Sequence, residues 1–349
     1  MAETSFPGAD WATGPLASDV DGDAVDAAIS VLAEHLPEIG TTESLVLVHN
    51  GQLVREMYGP ETNSESTLIS WSMAKTITQA LIGIAVGDGL LSVNDSDLLP
   101  QWHHDSRSQI TLGNLLNMAS GLAWREDYVD DQASDVIEML FGNGDLVGDH
   151  ASFTAAKNLE VDPGTKYLYS SGTTNIICRV LANALGEQQG SSDAMKTFMQ
   201  SRLFDPLGMT SAIPRFDAVG TFVGSSYVYA TAKDFARFGY LYLQDGMWGD
   251  TRILPPGWVK YSRTPFARDE DNGFDYGAHL WMTPLDPGAM LALGYDGQFT
   301  WVSPKRNLVL VRTGKKNSER LPRLVEELLK IITAFPATHA DIGNDGVRV

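Results

Sequence analysis

Strand-like segments lie near both ends of this 349-residue chain, and a long, mainly helical stretch separates them. Residues 45–49 and 52–58 have the apolar and β-branched composition of strands, as do residues 298–303 and 307–312. Residues 91–220 contain mostly helical segments and long loops. Strands from both ends can share one sheet if the middle of the chain is an insertion. We therefore predict an α+β fold, an antiparallel sheet flanked by helices with an inserted, mainly helical domain.

The predicted domain boundaries follow from where the pattern changes. Residues 1–72 and 221–349 are expected to form a discontinuous sheet domain, and residues 73–220 a mainly helical one. Asn50-Gly51 between the first two strands is a strong signal for a two-residue hairpin turn. One more strand is expected over residues 277–282. Helical periodicity marks segments expected to cover the sheet: residues 25–36, 73–87, 231–243 and 321–332.

Charge and composition restrict the partners of the protein. The formal net charge of −19 opposes binding to nucleic acid and to anionic membranes, because both are negatively charged. No stretch has the roughly 18 uncharged apolar residues that a membrane-spanning helix needs, and the N-terminus lacks the pattern of a signal peptide. The single cysteine, Cys178, excludes an intramolecular disulfide and is expected to be buried. With one thiol and no visible export signal, we expect a cytoplasmic protein; the alternative is an exported protein whose signal peptide has been removed, and the oligomeric state stays open.

One short motif, Ser72-Met-Ala-Lys75, has the residue types of a nucleophile and its base. Ser72 precedes the apolar helix predicted over residues 73–87, and Lys75 lies one helical turn further on the same face. Lys75 is the only charged residue between Glu65 and Asp88. Burial of a lysine lowers its pKa, and a neutral amine can accept the proton of a serine hydroxyl. The alternatives are a chance motif and a lysine that reaches the surface along its stem.

Two further segments combine turn residues with groups suited to chemistry. Tyr169-Ser-Ser171 follows a Pro-Gly turn and precedes a helix; a tyrosine beside a lysine can relay a proton, or it can be an ordinary core aromatic. Gly294-Tyr295-Asp296-Gly297-Gln298 precedes a strand, and its glycines would let a backbone N–H approach a ligand as an oxyanion donor must. By itself this second segment also fits a simple turn.

Other catalytic chemistries lack their usual motifs in this sequence. No Gly-x-Ser-x-Gly segment supports a Ser-His-Asp triad, and His103, His104 and His279 are interpreted as surface or hydrogen-bonded structural residues. With one cysteine and no His-Glu-x-x-His segment, no metal is predicted. The phosphate-loop and dinucleotide fingerprints are also missing, so no cofactor is expected.

Taken together and in order, the three motifs resemble those of the serine β-lactamase and penicillin-binding-protein superfamily. They are most like its class C-like branch, which includes family VIII carboxylesterases and 6-aminohexanoate-dimer hydrolases. The resemblance extends over roughly residues 40–335 and includes residues 111–122, 227–239 and 253–258. It implies the β-lactamase-like fold, with the catalytic serine at the junction of the two domains.

The resemblance also implies roles for individual residues. Ser72 would form an acyl-enzyme after Lys75 removes its proton, and Tyr169 would assist proton transfer to the leaving group and from the deacylating water. The backbone N–H groups of Ser72 and Tyr295 would form the oxyanion hole. Substrate-binding residues are expected near these groups and in the loop over residues 123–132, where Glu126 also lies: Ser171, Trp124, Asp127, Tyr128, Trp281, Gly297 and Gln298.

Two departures from the lactamase pattern direct the choice of substrate. Ser171 stands where the family has asparagine, and the Lys-Thr-Gly triad that holds a β-lactam carboxylate is missing. Arg312-Thr-Gly314 imitates that triad, but it ends the last strand and is interpreted as a coincidence. We therefore predict a serine hydrolase of small carboxylic esters. The alternatives are a linear amide hydrolase of the 6-aminohexanoate-dimer type, then a β-lactamase or D-amino peptidase, and, from another class, an inactive binding protein on the same fold.

Overall fold

The structure of the protein is a computed structural model that describes residues 6–127, 134–142, 146, 148–188, 190–316 and 322–338. Its helices are α1 (Gly22–Ala33), α2 (Met73–Gly87), α3 (Leu112–Leu116), α4 (Asp135–Phe141), α5 (His150–Ala155), α6 (Ser171–Ala184), α7 (Asp193–Met199), α8 (Asp205–Leu207), α9 (Ala232–Leu243), α10 (Trp258–Ser262) and α11 (Pro322–Ala334). Its strands are β1 (Thr41–His49), β2 (Gln52–Tyr58), β3 (Leu68–Ile69), β4 (Ile213–Pro214), β5 (Val228–Ala230), β6 (Met247–Trp248), β7 (Thr251–Arg252), β8 (Ala267–Arg268), β9 (Asp275–Tyr276), β10 (Trp281–Met282), β11 (Met290–Gly294), β12 (Gln298–Ser303) and β13 (Leu308–Lys315). Within these ranges, no helix has both the length and the apolar character to cross a bilayer.

The main sheet joins strands from both ends of the described chain. Its order is β2-β1-β13-β12-β11-β10-β9-β8, and each neighbouring pair is antiparallel. The pairing of β1 with β13 brings the early and late strands together, as the sequence pattern requires. The predicted α+β fold with an antiparallel sheet and flanking helices is confirmed. A small sheet of β3, β5 and β4 lies apart from the main one.

Both faces of the main sheet are buried, and alternate side chains of β1 separate them. Leu45 and Leu47 belong to the core shared with α1 and α11, whereas Val46 and Val48 belong to the core shared with α2 and α9. This follows from the two-residue period of a strand. Burial of each such side chain is worth about 1.5–3 kcal/mol, so a register shift by one residue would exchange the two sets and is disfavoured.

The local predictions are confirmed at the first hairpin and only partly at the 277–282 segment. Asn50 and Gly51 have φ values of 52° and 75°, the left-handed backbone of a tight hairpin turn. The expected continuous strand over residues 277–282 is wrong, because a turn interrupts it. The Gly277 N–H donates to the Leu280 carbonyl, and only β10 beyond this turn is extended.

The helical part of the chain is built around α6, which contacts α2, α3, α5 and α7. Its apolar side chains join the same core as the α2 and α9 face of the sheet. Helix α2 contacts both β11 and α6, so its N-terminus lies where the sheet meets the helical layer. The division into domains at residues 72 and 221 stays a prediction.

Candidate active site

Ser72 lies between β3 and α2, in a turn that is held firmly in place. The Ser70 N–H donates to the Val228 carbonyl at 2.9 Å, and the Val228 N–H donates to Ser70 Oγ at 3.1 Å. Trp71 has a φ of 42°, a left-handed conformation that costs a non-glycine residue about 1–3 kcal/mol and that occurs preferentially at functional sites. Ser72 then directly precedes the first residue of α2, as the sequence predicted.

Lys75 is brought against Ser72 by the first turn of α2. Its Nζ lies 2.9 Å from Ser72 Oγ, 3.0 Å from Ser171 Oγ and 3.0 Å from the Ser225 carbonyl oxygen. The lysine is 2% exposed, so it does not reach the surface along its stem. These three acceptors match the three N–H groups of an ammonium.

The buried setting of Lys75 changes its acid–base behaviour. Burial lowers the pKa of Lys75 to about 8, although the negative charge of Glu126 acts in the opposite direction. The depressed pKa expected from the uncharged flanks of the motif is confirmed. At neutral pH a useful fraction of the amine is then unprotonated, which a general base requires.

Ser171 connects Lys75 to a carboxylate from the loop after α3. The Ser171 hydroxyl donates to Glu126 Oε1 at 2.5 Å, and the Ser171 N–H donates to Glu126 Oε2 at 2.9 Å. Trp124 Nε1–H donates to the same Oε2 at 2.6 Å. Ser171 is the first residue of α6 and is fully buried, with Ser170 as the helix cap. The Ser171 hydroxyl therefore donates to Glu126 and accepts from Lys75. Because protein groups fill both roles, the predicted contact between Ser171 and the substrate is disfavoured.

Tyr169 lies next to Lys75, as the sequence predicted, but the contact is with its ring. Lys75 Nζ is 4.8 Å from the centroid of the Tyr169 ring. The Tyr169 ring packs against Tyr276 and Trp281, with centroid distances of 5.9 and 5.5 Å. The structure thus brings Ser72, Lys75 and Tyr169 into one cluster.

Tyr295 is held beside the residues that precede Ser72. Gly294 ends β11, and a Cβ atom at this position would lie 2.3 Å from the Ser70 carbonyl oxygen, so glycine is required for this close approach. The Tyr295 ring lies 6.0 Å from the Trp71 ring, centroid to centroid. Tyr295 therefore lies beside the turn that carries Ser72; the oxyanion role of its N–H stays a prediction.

Gln298 and Arg312 brace the turn that carries Tyr295. The Gln298 amide donates to the carbonyls of Tyr295 and Gly314 and accepts from the Gly314 N–H, so its polar atoms are used internally. The Arg312 guanidinium donates to the carbonyls of Asp296 and Gly297 at 2.9 and 2.8 Å. Both side chains are buried. Gln298 is therefore a structural residue here and not a substrate contact, and Arg312-Thr-Gly314 supplies no free cation for a substrate carboxylate.

The other predicted binding residues differ in burial and in the partners they contact. Trp281 packs on Tyr169, and Trp124 is oriented by Glu126; both tryptophans are mostly buried. Asp127 pairs with Arg125 at 2.8 Å. Tyr128 lies outside the described residues.

Two residues predicted to have no catalytic role, His279 and Cys178, have structural positions in the described molecule. His279 is buried; its Nδ1 lies 2.7 Å from the Leu116 carbonyl and its Nε2 lies 2.9 Å from Thr174 Oγ1. Burial lowers the pKa of His279 to about 3, so the ring is neutral. Cys178 is buried, and burial raises the pKa of its thiol to about 12. Both agree with the predicted structural roles.

Two members of the cluster were not assigned these contacts from the sequence. From the sequence, the loop around Glu126 is expected to carry substrate-binding residues, and nothing marks Ser225. Glu126 contacts Ser171 across 45 residues of chain, and the Ser225 carbonyl contacts Lys75 across 150 residues. A polar loop and a Ser-Ser pair are too common in sequences to signal such contacts.

Comparison with known proteins identifies relatives of the whole fold. The Beta-lactamase family profile matches residues 40–330. The 6-aminohexanoate-dimer hydrolase of Paenarthrobacter ureafaciens is 24% identical over 306 residues, which cover 81% of this chain and 76% of that protein. A Bacillus anthracis structure, assigned provisionally as a 6-aminohexanoate-dimer hydrolase, has a TM-score of 0.73 at 20% identity and covers 95% of this chain and 87% of its own. A family VIII carboxylesterase has a TM-score of 0.70 at 16% identity, covering 93% and 99%. At these identities the structural likenesses establish the fold alone.

Proposed function

This chain belongs to the beta-lactamase family, and from that premise we propose that it hydrolyses small carboxylic esters through an acyl-enzyme on Ser72. The observation that carries the proposal is the 2.9 Å contact between Lys75 Nζ and Ser72 Oγ, made by a lysine that is almost completely buried. A serine hydroxyl is a weak nucleophile until a base takes its proton, and a lysine of lowered pKa is such a base.

In the proposed acylation, the residues of the cluster act one after another. The neutral Lys75 amine takes the Ser72 proton while Ser72 Oγ forms a bond to the carbonyl carbon of the ester. The carbonyl π electrons move onto its oxygen, and the N–H groups of Ser72 and Tyr295 stabilise that oxyanion. When the electron pair returns, the bond to the leaving oxygen breaks. The proton on Lys75 passes to that oxygen, directly or through the Tyr169 hydroxyl.

Deacylation reverses these proton movements. A water molecule gives a proton to the Lys75 amine, directly or through Tyr169, as its oxygen bonds to the acyl carbon. Collapse of the second tetrahedral species breaks the bond to Ser72 Oγ, which takes the proton back from Lys75. The carboxylic acid leaves, and the amine and the hydroxyl are restored.

Aromatic side chains near the nucleophile support an apolar substrate. The Trp71 ring contacts those of Tyr227 and Tyr295, at centroid distances of 5.9 and 6.0 Å. The Tyr169 ring lies beside Lys75 and packs on Trp281. Such surfaces favour short acyl chains and aryl leaving groups. The internal hydrogen bonds of Arg312 favour a substrate without an anchored carboxylate.

A linear amide is the second candidate substrate. It is favoured by the relative named as a 6-aminohexanoate-dimer hydrolase, whose match covers 81% of this chain. An amide nitrogen is a poor leaving group and must be protonated as it departs. Tyr169, whose ring lies 4.8 Å from Lys75 Nζ, is the group proposed to make that transfer.

A panel of three substrates tests the proposed ester preference. We expect kcat/KM to be highest for p-nitrophenyl butyrate, lower for a linear aminohexanoate dimer and lowest for nitrocefin. The activated ester needs little beyond a nucleophile and an oxyanion hole, whereas a β-lactam also needs its carboxylate held. Preference for the dimer would replace the ester assignment with the amide one. Faster turnover of nitrocefin than of the ester would show that a carboxylate grip exists elsewhere in the site.

The Tyr169→Phe variant tests the proton transfer to the leaving group. We expect kcat for the dimer to fall by roughly 100-fold, the lower end of a general-acid contribution. The kcat for p-nitrophenyl butyrate should fall less, since p-nitrophenolate leaves without a proton. Ethyl butyrate provides a second substrate with a poor leaving group if the dimer is a slow one. Equal losses on good and poor leaving groups would contradict this role for Tyr169.

A further inference from the structure

We infer that Glu126, acting through the Ser171 hydroxyl, aims the lone pair of neutral Lys75 at the Ser72 hydroxyl. The inference rests on the proposed function, since it assigns a positioning residue to the same reaction. Glu126 itself does not contact Ser72 in this scheme. Its effect is to fix the direction of the hydrogen bond between Ser171 and Lys75.

The Glu126 carboxylate is held in a defined orientation. Its Oε2 accepts from Trp124 Nε1–H at 2.6 Å and from the Ser171 N–H at 2.9 Å. Its Oε1 then faces the Ser171 hydroxyl at 2.5 Å. An ionised carboxylate can only accept hydrogen bonds, so the single hydroxyl proton of Ser171 points to Glu126.

The orientation of Ser171 fixes one N–H of Lys75. Because its proton is committed to Glu126, Ser171 Oγ can only accept from Lys75 Nζ, 3.0 Å away. The Ser225 carbonyl, also 3.0 Å from Nζ, is an acceptor by its chemistry. That carbonyl is held in place partly by the Ser225 N–H, which donates to Asn175 Oδ1 at 3.3 Å.

Counting hydrogens then gives the direction of the lone pair. A neutral amine has two N–H groups and one lone pair. The two N–H groups are required by Ser171 and Ser225, so the lone pair is left for the third neighbour, Ser72 Oγ at 2.9 Å. This is the arrangement in which the Ser72 hydroxyl donates its proton to Lys75. A different orientation of Ser171 would leave Lys75 in contact with Ser72 but without its lone pair aimed there.

Titratable groups face this network from several surrounding elements. Lys75 is adjacent to the Tyr169 ring and interacts electrostatically with Glu126, Cys178 and His279. The neutral thiol and the neutral imidazole add little charge near neutral pH. Glu126 in turn acts on two further phenols, which burial keeps protonated: Tyr167 and Tyr276.

The Glu126→Gln variant reverses the direction of one hydrogen bond while keeping the shape of the side chain. Trp124 Nε1–H and the Ser171 N–H both require an acceptor, so they select the amide oxygen. The amide NH₂ is then directed at Ser171 Oγ and donates to it. Ser171 in turn donates toward Lys75 and draws the lone pair away from Ser72. Loss of the negative charge and this new donor both favour the neutral amine, so the pKa of Lys75 decreases further.

The test measures kcat, KM and the pH profile of kcat/KM with p-nitrophenyl butyrate. For Glu126→Gln we expect kcat to fall about tenfold or more, the scale of one hydrogen bond to a charged group, with a smaller change in KM. We also expect the acidic limb to move to lower pH. Glu160→Gln, which removes a charge from an exposed glutamate, is the matched control and should behave as wild type.

Several results would overturn the inference. One is a wild-type kcat for Glu126→Gln. Another is an acidic limb of Glu126→Gln that stays in place or moves to higher pH. If Ser72→Ala is inactive in the same experiment, either result overturns the role of Glu126 and leaves the proposed function in place. Activity that survives in Ser72→Ala would instead overturn the proposed function. Should Glu126→Gln fail to fold, Ser171→Ala decides: a reduced kcat supports the relay, and wild-type kinetics exclude it. A double variant of Glu126→Gln and Ser171→Ala whose kcat is no lower than that of Ser171→Ala alone also supports an effect of Glu126 that passes through Ser171.

Discussion

Ser72→Ala is expected to abolish both ester turnover and labelling by a fluorophosphonate probe. The probe phosphonylates an activated serine. Ser72 and Ser171 both lie against the buried Lys75, but the Ser171 hydroxyl donates to Glu126, so Ser72 is the serine expected to give its proton to the lysine of lowered pKa. Loss of the nucleophile should reduce kcat by roughly 10⁶-fold, the scale seen when a serine hydrolase loses its attacking hydroxyl. Intact mass and peptide mapping of the wild-type protein should place a single adduct on Ser72.

Ser18→Ala is the matched control, because Ser18 is exposed and remote from the cluster in the sequence. It should label and turn over substrate as the wild type does. An adduct that persists in folded Ser72→Ala would disprove the assignment of the nucleophile. A wild-type protein that takes no label and hydrolyses none of the three test substrates would favour the inactive binding protein.

Lys75→Arg is expected to lower kcat/KM by roughly 10²-fold to 10⁴-fold, the contribution of a general base. A guanidinium stays protonated at any working pH, so it cannot take the Ser72 proton. In the wild type, the pKa of Lys75 near 8 means that the neutral base predominates above that pH. The kcat/KM should therefore fall about tenfold for each pH unit below it. The arginine variant should lack this acidic limb.

Lys196→Arg is the corresponding control, since Lys196 is exposed on α7 and its charge is retained. Far-ultraviolet circular dichroism and a thermal melt should show that both arginine variants are folded. Wild-type turnover by folded Lys75→Arg would refute the base role. An acidic limb that persists in a weakly active Lys75→Arg would mean that another group is responsible for the pH dependence.

The part of the site that lies on one helix could be predicted from the sequence. Ser72 and Lys75 are three residues apart at the start of α2, and helical geometry alone brings their side chains together. Long-range contacts have no such local rule. Glu126 reaches Ser171 across 45 residues of chain, and the Ser225 carbonyl reaches Lys75 across 150. Those contacts depend on how α6 and the small sheet pack beside α2, which the sequence pattern does not specify.

The difference between local pattern and long-range pairing also explains which strands could be predicted from the sequence. The predicted and observed bounds of β12 agree, because its β-branched and aromatic residues 299–302 precede a turn. β11 was missed, since Met290-Leu-Ala-Leu293 suits a helix as well as a strand, and its extended form is set by pairing with β12. The turn through Gly277 interrupts an apolar run that otherwise resembles one strand. Local composition could not distinguish these cases.

The pairing of β1 with β13 also has a consequence for folding during synthesis. Ser72 and Lys75 leave the ribosome long before β13 does. The edge of β1 that pairs with β13 stays unpaired until Leu308–Lys315 have been synthesised. Unpaired strand edges are sites of aggregation, and contacts so distant in sequence form slowly. A nascent chain must therefore keep an apolar β1 and α2 soluble for most of its translation. The dispersed negative charge of the chain is well suited to that interval, because it makes incomplete chains repel one another.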